Sequence, residues 1–245
     1  MAIEIELKAH VEDCESMKTT LEGKAESSFY FEKEDVYWSL NEAIARLAPH
    51  FISKIRIRRE KRRFSNGKVS IGNLSAGSSF DGRFSDGAGE SLCLATYKKK
   101  EVQDGIEVND EHEFEIRSSS GDAAKGFEEF LKGIGMKPGA SKKKRGWAFI
   151  IEGKQARPGL GNICAELVEV EGLGWFAELE ILADKDAAEG AVRDAVTDRE
   201  ELLAEGKKRL LDFLDSLGIG RQAIESRYYT EMLENLHSVP TPAPG

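Results

Sequence analysis

The sequence contains few of the residues that usually build zinc sites or hydrolytic triads. Only three cysteines and four histidines occur among its 245 residues. They are Cys14, Cys93, Cys164, His10, His50, His112 and His237. The cysteines are far apart and follow no metal-binding spacing, and the histidines are scattered along the chain. A zinc centre and a Ser-His-Asp triad therefore have little support.

The sequence also lacks a long apolar run and an excess of positive charge. No apolar stretch approaches the length of a transmembrane helix. The formal net charge is −9, so a broad surface for nucleic acid or for a membrane is not indicated. With no signal peptide and no disulfide pattern, we expect a reduced, cytoplasmic protein that binds neither nucleic acid nor membrane.

What the sequence does contain is a repeated alternation of charged and apolar residues. Its first eight residues place apolar side chains at odd positions and Glu4, Glu6 and Lys8 at even positions. Because successive side chains of a strand point to opposite faces, this pattern predicts a strand with one apolar and one charged face. Similar alternation returns at residues 54–58, 94–100, 111–116 and 175–181.

These charged rows allow two interpretations. A single such row most often marks a strand face that is exposed to solvent. Like charges along one strand are unfavourable unless opposite charges compensate them, and this chain has both acidic and basic rows. A closed antiparallel sheet would set the rows against each other in its interior, while the apolar faces pack outward on helices. Such an interior would offer carboxylates to a divalent cation, and Lys and Arg to phosphate oxygens.

The remaining signals predict how the elements are connected. Asp13 is a helix N-cap, and Asp104-Gly105 is a hairpin turn. One or two helical turns are expected at residues 41–48. From residue 184 the apolar period becomes helical, with Leu203, Leu210, Leu214 and Leu217 repeating before Gly218.

Two segments are expected to contribute little to the core. Residues 64–91 are rich in Gly, Ser and Asp and predict an extended loop inserted in the domain. Residues 236–245 form a Pro-rich tail. We therefore expect one domain over residues 1–235. Glu32, Glu34 and Asp35 of the second predicted strand are expected to face solvent or to be structural.

Several charged motifs occur in a definite order along the chain. They are Glu4-x-Glu6-x-Lys8, Arg56-x-Arg58, Lys98 with Lys100, Glu113-x-Glu115, Lys143 with Arg145, and Gly172-Leu173-Gly174-Trp175-Phe176-Ala177-Glu178-Leu179-Glu180. This ordered set resembles the CYTH superfamily, also called triphosphate tunnel metalloenzymes, over nearly the whole chain. The resemblance implies an α+β fold, namely an eight-stranded antiparallel β-barrel (the triphosphate tunnel) with helices packed outside. It also implies a divalent metal and a substrate that contains a triphosphate or a similar chain.

The resemblance also suggests roles for individual residues. The metal, Mg²⁺ or Mn²⁺, is assigned to Glu4, Glu6, Glu178 and Glu180, with Glu113 and Glu115 as weaker candidates. The phosphate oxygens are assigned to Lys54, Arg56, Arg58, Lys98, Lys100, Lys143 and Arg145. Lys8 and Lys98 are the candidate catalytic lysines. One departure from the family pattern is Val168, which stands where an inward Asp is usual, and Glu166 on the same face is a possible substitute.

Three functions remain open from the sequence. The first is a metal-dependent hydrolase of inorganic triphosphate, a nucleoside triphosphate or thiamine triphosphate. The second is a class IV adenylyl cyclase, because residues 224–233 resemble the S-Y-x-x-L-L tail of that branch. The His-Phe element that precedes the acidic motif in cyclases has no counterpart before Glu4, which favours hydrolysis. The third is a non-catalytic module that binds polyphosphate or nucleotide. The oligomeric state, monomer or homodimer, is left open.

Overall fold

A computed structural model describes residues 2–41, 54–64, 89–103, 105–117, 122–152, 157–184 and 195–237. Its strands are β1 (Ala2–His10), β2 (Ser27–Ser39), β3 (Lys54–Phe64), β4 (Gly89–Gln103), β5 (Ile106–Glu115), β6 (Lys137–Ile151), β7 (Leu160–Val170) and β8 (Gly174–Asp184). Its helices are α1 (Cys14–Glu22), α2 (Ala123–Gly133), α3 (Ala195–Ser216) and α4 (Tyr229–His237). Among these described helices, none combines the length and the apolar character needed to cross a membrane.

The strands close into one barrel in the order β1-β5-β4-β3-β2-β6-β7-β8, and the last strand pairs with the first. Every neighbouring pair is antiparallel. In this circular order β1 is four strands away from β2 in either direction, and so is β8 from β3. These strands therefore lie on opposite sides of the barrel. The predicted α+β class with an eight-stranded antiparallel barrel is confirmed.

The main apolar core lies outside the barrel, between its outer face and the helices. Ile3, Ile5 and Leu7 of β1 are 2%, 0% and 1% exposed and belong to this core. From α3, Leu210 and Leu214 are fully buried against the same cluster. Each such side chain contributes about 1.5–3 kcal/mol through burial. The apolar side chains at alternate positions of β1 pack outward, as predicted. Such packing supplies much of the stability of the fold.

The connections agree with the turn signals of the sequence. Asp13 is the N-cap of α1, and its side chain accepts a hydrogen bond from the Ser16 N–H. Gly105 has a φ of 79° in the β4–β5 turn, which favours glycine because L side chains rarely adopt positive φ. The last hairpin turns at Gly172-Leu173-Gly174, where both glycines also have positive φ. The predicted hairpin at Gly105 is confirmed.

Some predicted segments lie outside the described residues. These are most of the helical turns at 41–48, residues 51–53 of a predicted strand, most of the insertion at 64–91, and the tail from residue 238. Because β3 reaches Phe64 and β4 begins at Gly89, both ends of the predicted insertion belong to strands. Leu236 and His237, which were assigned to the tail, are part of α4.

Gly146 allows β6 and β7 to approach each other unusually closely. A Cβ atom at this position would lie 2.0 Å from the carbonyl oxygen of Leu167 and 2.9 Å from the Cα of Val168. Both contacts are with backbone, so no side-chain rotation can relieve them. By contrast, Gly126 lies inside α2 with no neighbouring atom within 4 Å of a built Cβ.

We predict that Gly146→Ala lowers the free energy of unfolding by about 1–3 kcal/mol or more, because overpacking must displace the backbone of β7. Chemical denaturation measures the loss. Gly126→Ala is the control, and it is expected to be neutral or to stabilise the protein by up to about 1 kcal/mol, since alanine is the better helix former. Equal stability of Gly146→Ala and the unmodified protein would contradict the close approach.

Candidate functional site

The inner faces of all eight strands line one cavity of about 470 Å³. The side chains that the structure describes along its surface include nine carboxylates and nine cations, and the inward Asp35 is buried behind Arg58 and Lys142. The carboxylates are Glu4, Glu6, Glu60, Glu107, Glu111, Glu113, Glu166, Glu178 and Glu180. The cations are Lys8, Lys33, Lys54, Arg56, Arg58, Arg62, Lys98, Lys142 and Lys144. The charged rows thus turn toward a shared enclosed space.

One wall of the cavity, formed by β5, β1 and β8, is crowded with carboxylates. Glu6 and Glu180 are directly opposite each other in the β1–β8 pair. Neither makes a hydrogen bond or an ion pair with another described residue. Burial and repulsion from Glu6 and Glu111 raise the pKa of Glu180 to about 8, although Lys98 opposes the rise. This wall therefore carries uncompensated negative charge whenever these groups are ionised.

Lys98 of β4 is held between two carboxylates of this wall. Its ammonium donates to Glu4 Oε2 at 2.5 Å and lies 2.6 Å from Glu111 Oε2. Burial alone would lower the pKa of Lys98, but these two carboxylates raise it well above its usual value. Burial also raises the pKa of Glu4 well above its ordinary value, despite the nearby Lys98. Lys98 is therefore a fixed ammonium, suited to electrostatic stabilisation and unsuited to proton abstraction.

The opposite wall, formed by β3, β2 and β6, is basic. Arg58 makes two hydrogen bonds to Asp35, with Nε 2.7 Å from Oδ1 and Nη2 3.0 Å from Oδ2. Burial would raise the pKa of Asp35, but Arg58 holds it well below its usual range. Asp35 is fully buried, so the expectation that it faces solvent is wrong, whereas its structural role stays open. Glu34, its neighbour, is exposed as expected.

Lys142 shows that this wall has positive charge in excess of its carboxylates. Burial, together with repulsion from Lys144, lowers the pKa of Lys142 although Tyr37 and Asp35 oppose the shift. Burial would raise the pKa of Tyr37, but the positive charge of Lys142 lowers it. Both shifts indicate a place where a negatively charged ligand would be stabilised. The two walls thus have opposite electrostatic preferences across one cavity.

Most residues that the sequence assigned to the site line this cavity. They are Glu4, Glu6, Lys8, Lys54, Arg56, Arg58, Lys98, Glu113, Glu178 and Glu180. Arg56 donates to Thr96 Oγ1 at 2.9 Å and also contacts Glu111 and Glu113. Lys54 is exposed, and its ammonium lies 5.1 Å from the Tyr37 ring centroid. Glu115 has the inward parity but lies at the end of β5, where it binds Arg117. The side chain of Lys100 lies outside the described residues.

The prediction that Lys143 and Arg145 point inward is wrong. Both are exposed, and Arg145 Nε binds Glu169 Oε2 at 2.5 Å on the outer face. The inward residues of the cationic run are Lys142 and Lys144 instead. The register decides this, because Lys142 pairs with Asp35 and Lys144 pairs with Lys33 of β2, and both partners point inward. Four consecutive cations fit either parity equally well, so the sequence could not choose.

The sequence analysis also missed several residues of the cavity, among them Lys33 and Glu111. Lys33 forms an ion pair with Glu166. Glu111 stands opposite Lys98 in the β4–β5 pair. A signal for Glu111 was available, because it shares the parity of Glu113 and Glu115 in the predicted strand. For Lys33 no comparable signal exists in a strand of mixed charge.

The departure at Val168 has a structural explanation. Val168 is fully buried in an apolar cluster that includes Phe31, Phe176 and Tyr229. A carboxylate at this position would lie among aromatic rings. Glu166 lines the cavity, where Lys33 and, at 3.9 Å, Lys144 lie beside it. Whether Glu166 takes the role of the family Asp stays a prediction.

A divalent metal fits the acidic wall by the chemistry of its donors. Carboxylate oxygens are the ligands that Mg²⁺ and Mn²⁺ prefer. Glu6 and Glu180 lie opposite each other on this wall and form no ion pair with another described residue. Within the described ranges, no three His, Cys, Asp or Glu side chains already converge on one metal position. The donors are therefore present but are spread along the wall.

Comparison with known proteins supports the fold. No protein-family profile and no curated protein matches the sequence. Among solved structures, a protein from Pyrococcus horikoshii OT3 has a TM-score of 0.55 at 20% identity, covering 95% of this chain and 99% of that one. A Vibrio parahaemolyticus protein proposed to be an adenylate cyclase has a TM-score of 0.57 at 15% identity, covering 95% and 98%. A conserved hypothetical protein from Pyrococcus furiosus has a TM-score of 0.52 at 23% identity, covering 93% and 98%.

These likenesses extend over nearly the full length of each chain and establish a common architecture. The architecture is the tunnel barrel that the resemblance to the CYTH superfamily implies. At these identities the comparisons establish the fold alone. The chemistry of the site must be argued from its own residues.

We predict that, in the presence of a chelator, the stability of the protein falls as the pH rises from about 5 to 8. The pKa of Glu180 is about 8 in the folded protein against 4.5 for the free group, so the folded state retains a proton that the unfolded chain releases. This stabilising contribution is complete below the unfolded pKa and is lost as the pH rises through the folded one. In Glu180→Gln the free energy of unfolding should depend less on pH. The loss between pH 5 and pH 8 should shrink by on the order of a few kcal/mol. Denaturant titrations at several pH values measure the free energy of unfolding. An unchanged pH dependence in Glu180→Gln would contradict the raised pKa.

Proposed function

We propose that this protein is a divalent-metal-dependent phosphohydrolase that acts on a triphosphate-containing substrate. The main observation is that Glu6 and Glu180, which form no ion pair with a described residue, lie on one wall of an enclosed cavity, and that Arg56, Arg58 and Lys142 lie on the opposite wall. The carboxylates of the first wall would hold a divalent cation, and the cations of the second would bind the phosphate chain. The sequence resemblance to the CYTH superfamily supports the same substrate class.

The basic wall would bind and orient the phosphate chain. Arginine presents a planar fork that matches phosphate oxygens, and both Arg56 and Arg58 already have that fork held by hydrogen bonds. Lys142 and Lys144 add compact charges from the neighbouring strand. Because phosphoryl transfer depends mainly on in-line positioning and on charge stabilisation, prearranged cations are what the reaction requires.

The acidic wall would hold the metal, through Glu4, Glu6 and Glu180 with Glu178 at its edge. A bound Mg²⁺ or Mn²⁺ supplies charge neutralisation on the phosphate oxygens and favours an ionised water nucleophile. Lys98 remains an ammonium between Glu4 and Glu111 and keeps those carboxylates in place. Lys8 donates to Glu107 at 3.2 Å and so lies at the boundary between the carboxylates and the phosphate site.

A class IV adenylyl cyclase is the second candidate. The observation in its favour is that Tyr228, Tyr229 and Thr230, within the segment that resembles the cyclase tail, line the cavity. The name proposed for the Vibrio parahaemolyticus protein agrees with this alternative. In a cyclase the ribose 3′-hydroxyl replaces water as the nucleophile and attacks the α-phosphorus, so the products differ. A module that binds triphosphate without turning it over is the third candidate.

Product analysis separates these functions. The protein is incubated with inorganic triphosphate, ATP or thiamine triphosphate and with Mg²⁺ or Mn²⁺. We expect orthophosphate that depends on the metal. Cyclic AMP with pyrophosphate would establish the cyclase instead, and tight binding without products would establish a binding module.

We predict that Glu6→Gln reduces metal-dependent turnover at least about 100-fold, because a neutral amide is a poor ligand for a hard cation. The fold should be retained, since Glu6 makes no ion pair with a described residue. Glu34→Gln, which removes an exposed carboxylate from the outer face, is the matched control and should retain turnover within about twofold. Full activity of Glu6→Gln would remove this residue from the metal site.

A second pair of variants tests which cations face the substrate. Lys142→Met should lower kcat/KM by about 10–100-fold, because a charged hydrogen bond to a phosphate oxygen is lost in an enclosed site. Lys143→Met, one residue away on the outer face, should change kcat/KM by less than about twofold. Steady-state kinetics with the substrate found by product analysis gives both values. The reverse order of effects would show that the inward parity of β6 is not the one described above.

A further inference from the structure

Tyr229 lines the cavity although it does not belong to a barrel strand. It is the first residue of α4 and is 5% exposed. Its ring packs edge-on against Phe176 of β8, with 4.9 Å between the ring centroids. The C-terminal segment thus places one aromatic ring among the charged side chains of the barrel.

The position of this ring is fixed by contacts between the C-terminal segment and β1. The Glu225 N–H donates to the Lys8 carbonyl oxygen at 2.8 Å, and Ala9 pairs with Ile224 in an isolated bridge. The Glu225 carboxylate accepts from the Arg227 backbone N–H and side chain and lies 3.3 Å from His10 Nε2. The segment that carries Tyr229 is therefore tied to the strand that carries Glu4, Glu6 and Lys8.

Three ammonium groups surround the Tyr229 ring. The Nζ atoms of Lys142, Lys8 and Lys144 lie 5.1, 5.5 and 5.6 Å from its centroid. Like charges gathered this closely repel each other, and the repulsion is stronger in an enclosed site than in water. The negative face of an aromatic ring offsets part of it, by about 0.5–2 kcal/mol for each cation within 6 Å.

Carboxylates also lie beside each lysine. Lys8 binds Glu107 at 3.2 Å, Lys144 binds Glu178 at 2.6 Å, and Lys142 lies 3.6 Å from Asp35. These acids come from three different strands, and Glu178 attracts Lys142 as well as Lys144, but no carboxylate among them is paired with all three lysines. The ring is the element that all three lysines share.

We propose that Tyr229 is a positioning residue that holds the ammonium groups of Lys8, Lys142 and Lys144 together as one phosphate-binding cluster. The inference rests on the proposed function for its ligand, but the contact between the ring and the lysines does not. Its consequence is that the affinity for a phosphate chain depends on the electron density of the Tyr229 ring, even where the ring touches no phosphate.

Binding of inorganic triphosphate, measured by calorimetry with Mg²⁺ present, tests this dependence. Tyr229→Phe retains the ring face and should bind within about threefold of the unmodified protein. Replacement of Tyr229 by trifluorophenylalanine keeps the shape but removes the negative ring face, and it should bind about 5–30-fold more weakly than Tyr229→Phe. Because shape is preserved, a role in packing alone predicts equal affinities, and equal affinities would overturn the proposal.

A ligand-free measurement separates this inference from the proposed function. Incorporation of lysine labelled with ¹³C at Cε makes these side chains visible by NMR without modifying them, and a nearby ring shifts the signals of Lys8, Lys142 and Lys144. Tyr229→Leu should abolish these shifts. Tyr30→Leu, which removes a ring 5.7 Å from the Arg63 guanidinium, is the control and should leave them in place.

The possible outcomes have distinct meanings. Ring shifts in a protein that fails to bind triphosphate would overturn the proposed function and leave the contact of Tyr229 with the lysines supported. Absence of the shifts in the unmodified protein would overturn the inference about Tyr229. If Tyr229→Leu does not fold, the comparison between Tyr229→Phe and the fluorinated ring still decides, because neither creates a cavity.

Discussion

The mutual compensation of charges inside a closed barrel is the constraint on which the rest of this structure depends. Alternation along each strand sends charged side chains inward, where water is scarce and an unpaired ion is costly. In the described part of the cavity surface, carboxylates and cations lie close to each other and compensate much of this cost. Pairs such as Arg58 with Asp35 and Lys98 with Glu4 allow the sheet to close around its own charges. If the strands carried only acidic or only basic rows, the same alternation would be stable only with its charged face in solvent.

These internal pairs contribute little net stability, since desolvation of two ions offsets most of their attraction. The outer apolar core carries that role, with the β1 side chains Ile3, Ile5 and Leu7 packed beneath α3. The two faces of each strand thus have separate tasks. The outer face stabilises the barrel, and the inner face maintains a charged space at some cost in stability. Such a division is typical of a functional interior, because an apolar filling would stabilise the same barrel better.

How far the sequence could predict this structure depends on which signal each feature leaves. The barrel, its hairpins and the inward position of Glu4, Arg56 and Lys98 follow from alternation, from turn residues and from the order of the motifs. The inward residues of β6 do not, because a run of four cations has no apolar parity to fix its orientation. The orientation of β6 is fixed by its register with β2, in which Lys142 is opposite Asp35. The β2–β6 ladder also contains a register shift between Val36 and Trp38. Long-range pairing of this kind leaves no mark in either strand alone.

The two walls also explain why metal and phosphate should enter the cavity together. A polyanion alone would add a large negative charge to the enclosed space, next to the already crowded Glu6 and Glu180. A divalent cation alone would relieve that crowding but would leave the repulsion between Lys142 and Lys144 in place. Under the proposed function, a metal and a phosphate chain together would neutralise both walls. The cavity would then favour a metal-bound phosphate chain over either component alone, whether water or a ribose hydroxyl is the nucleophile.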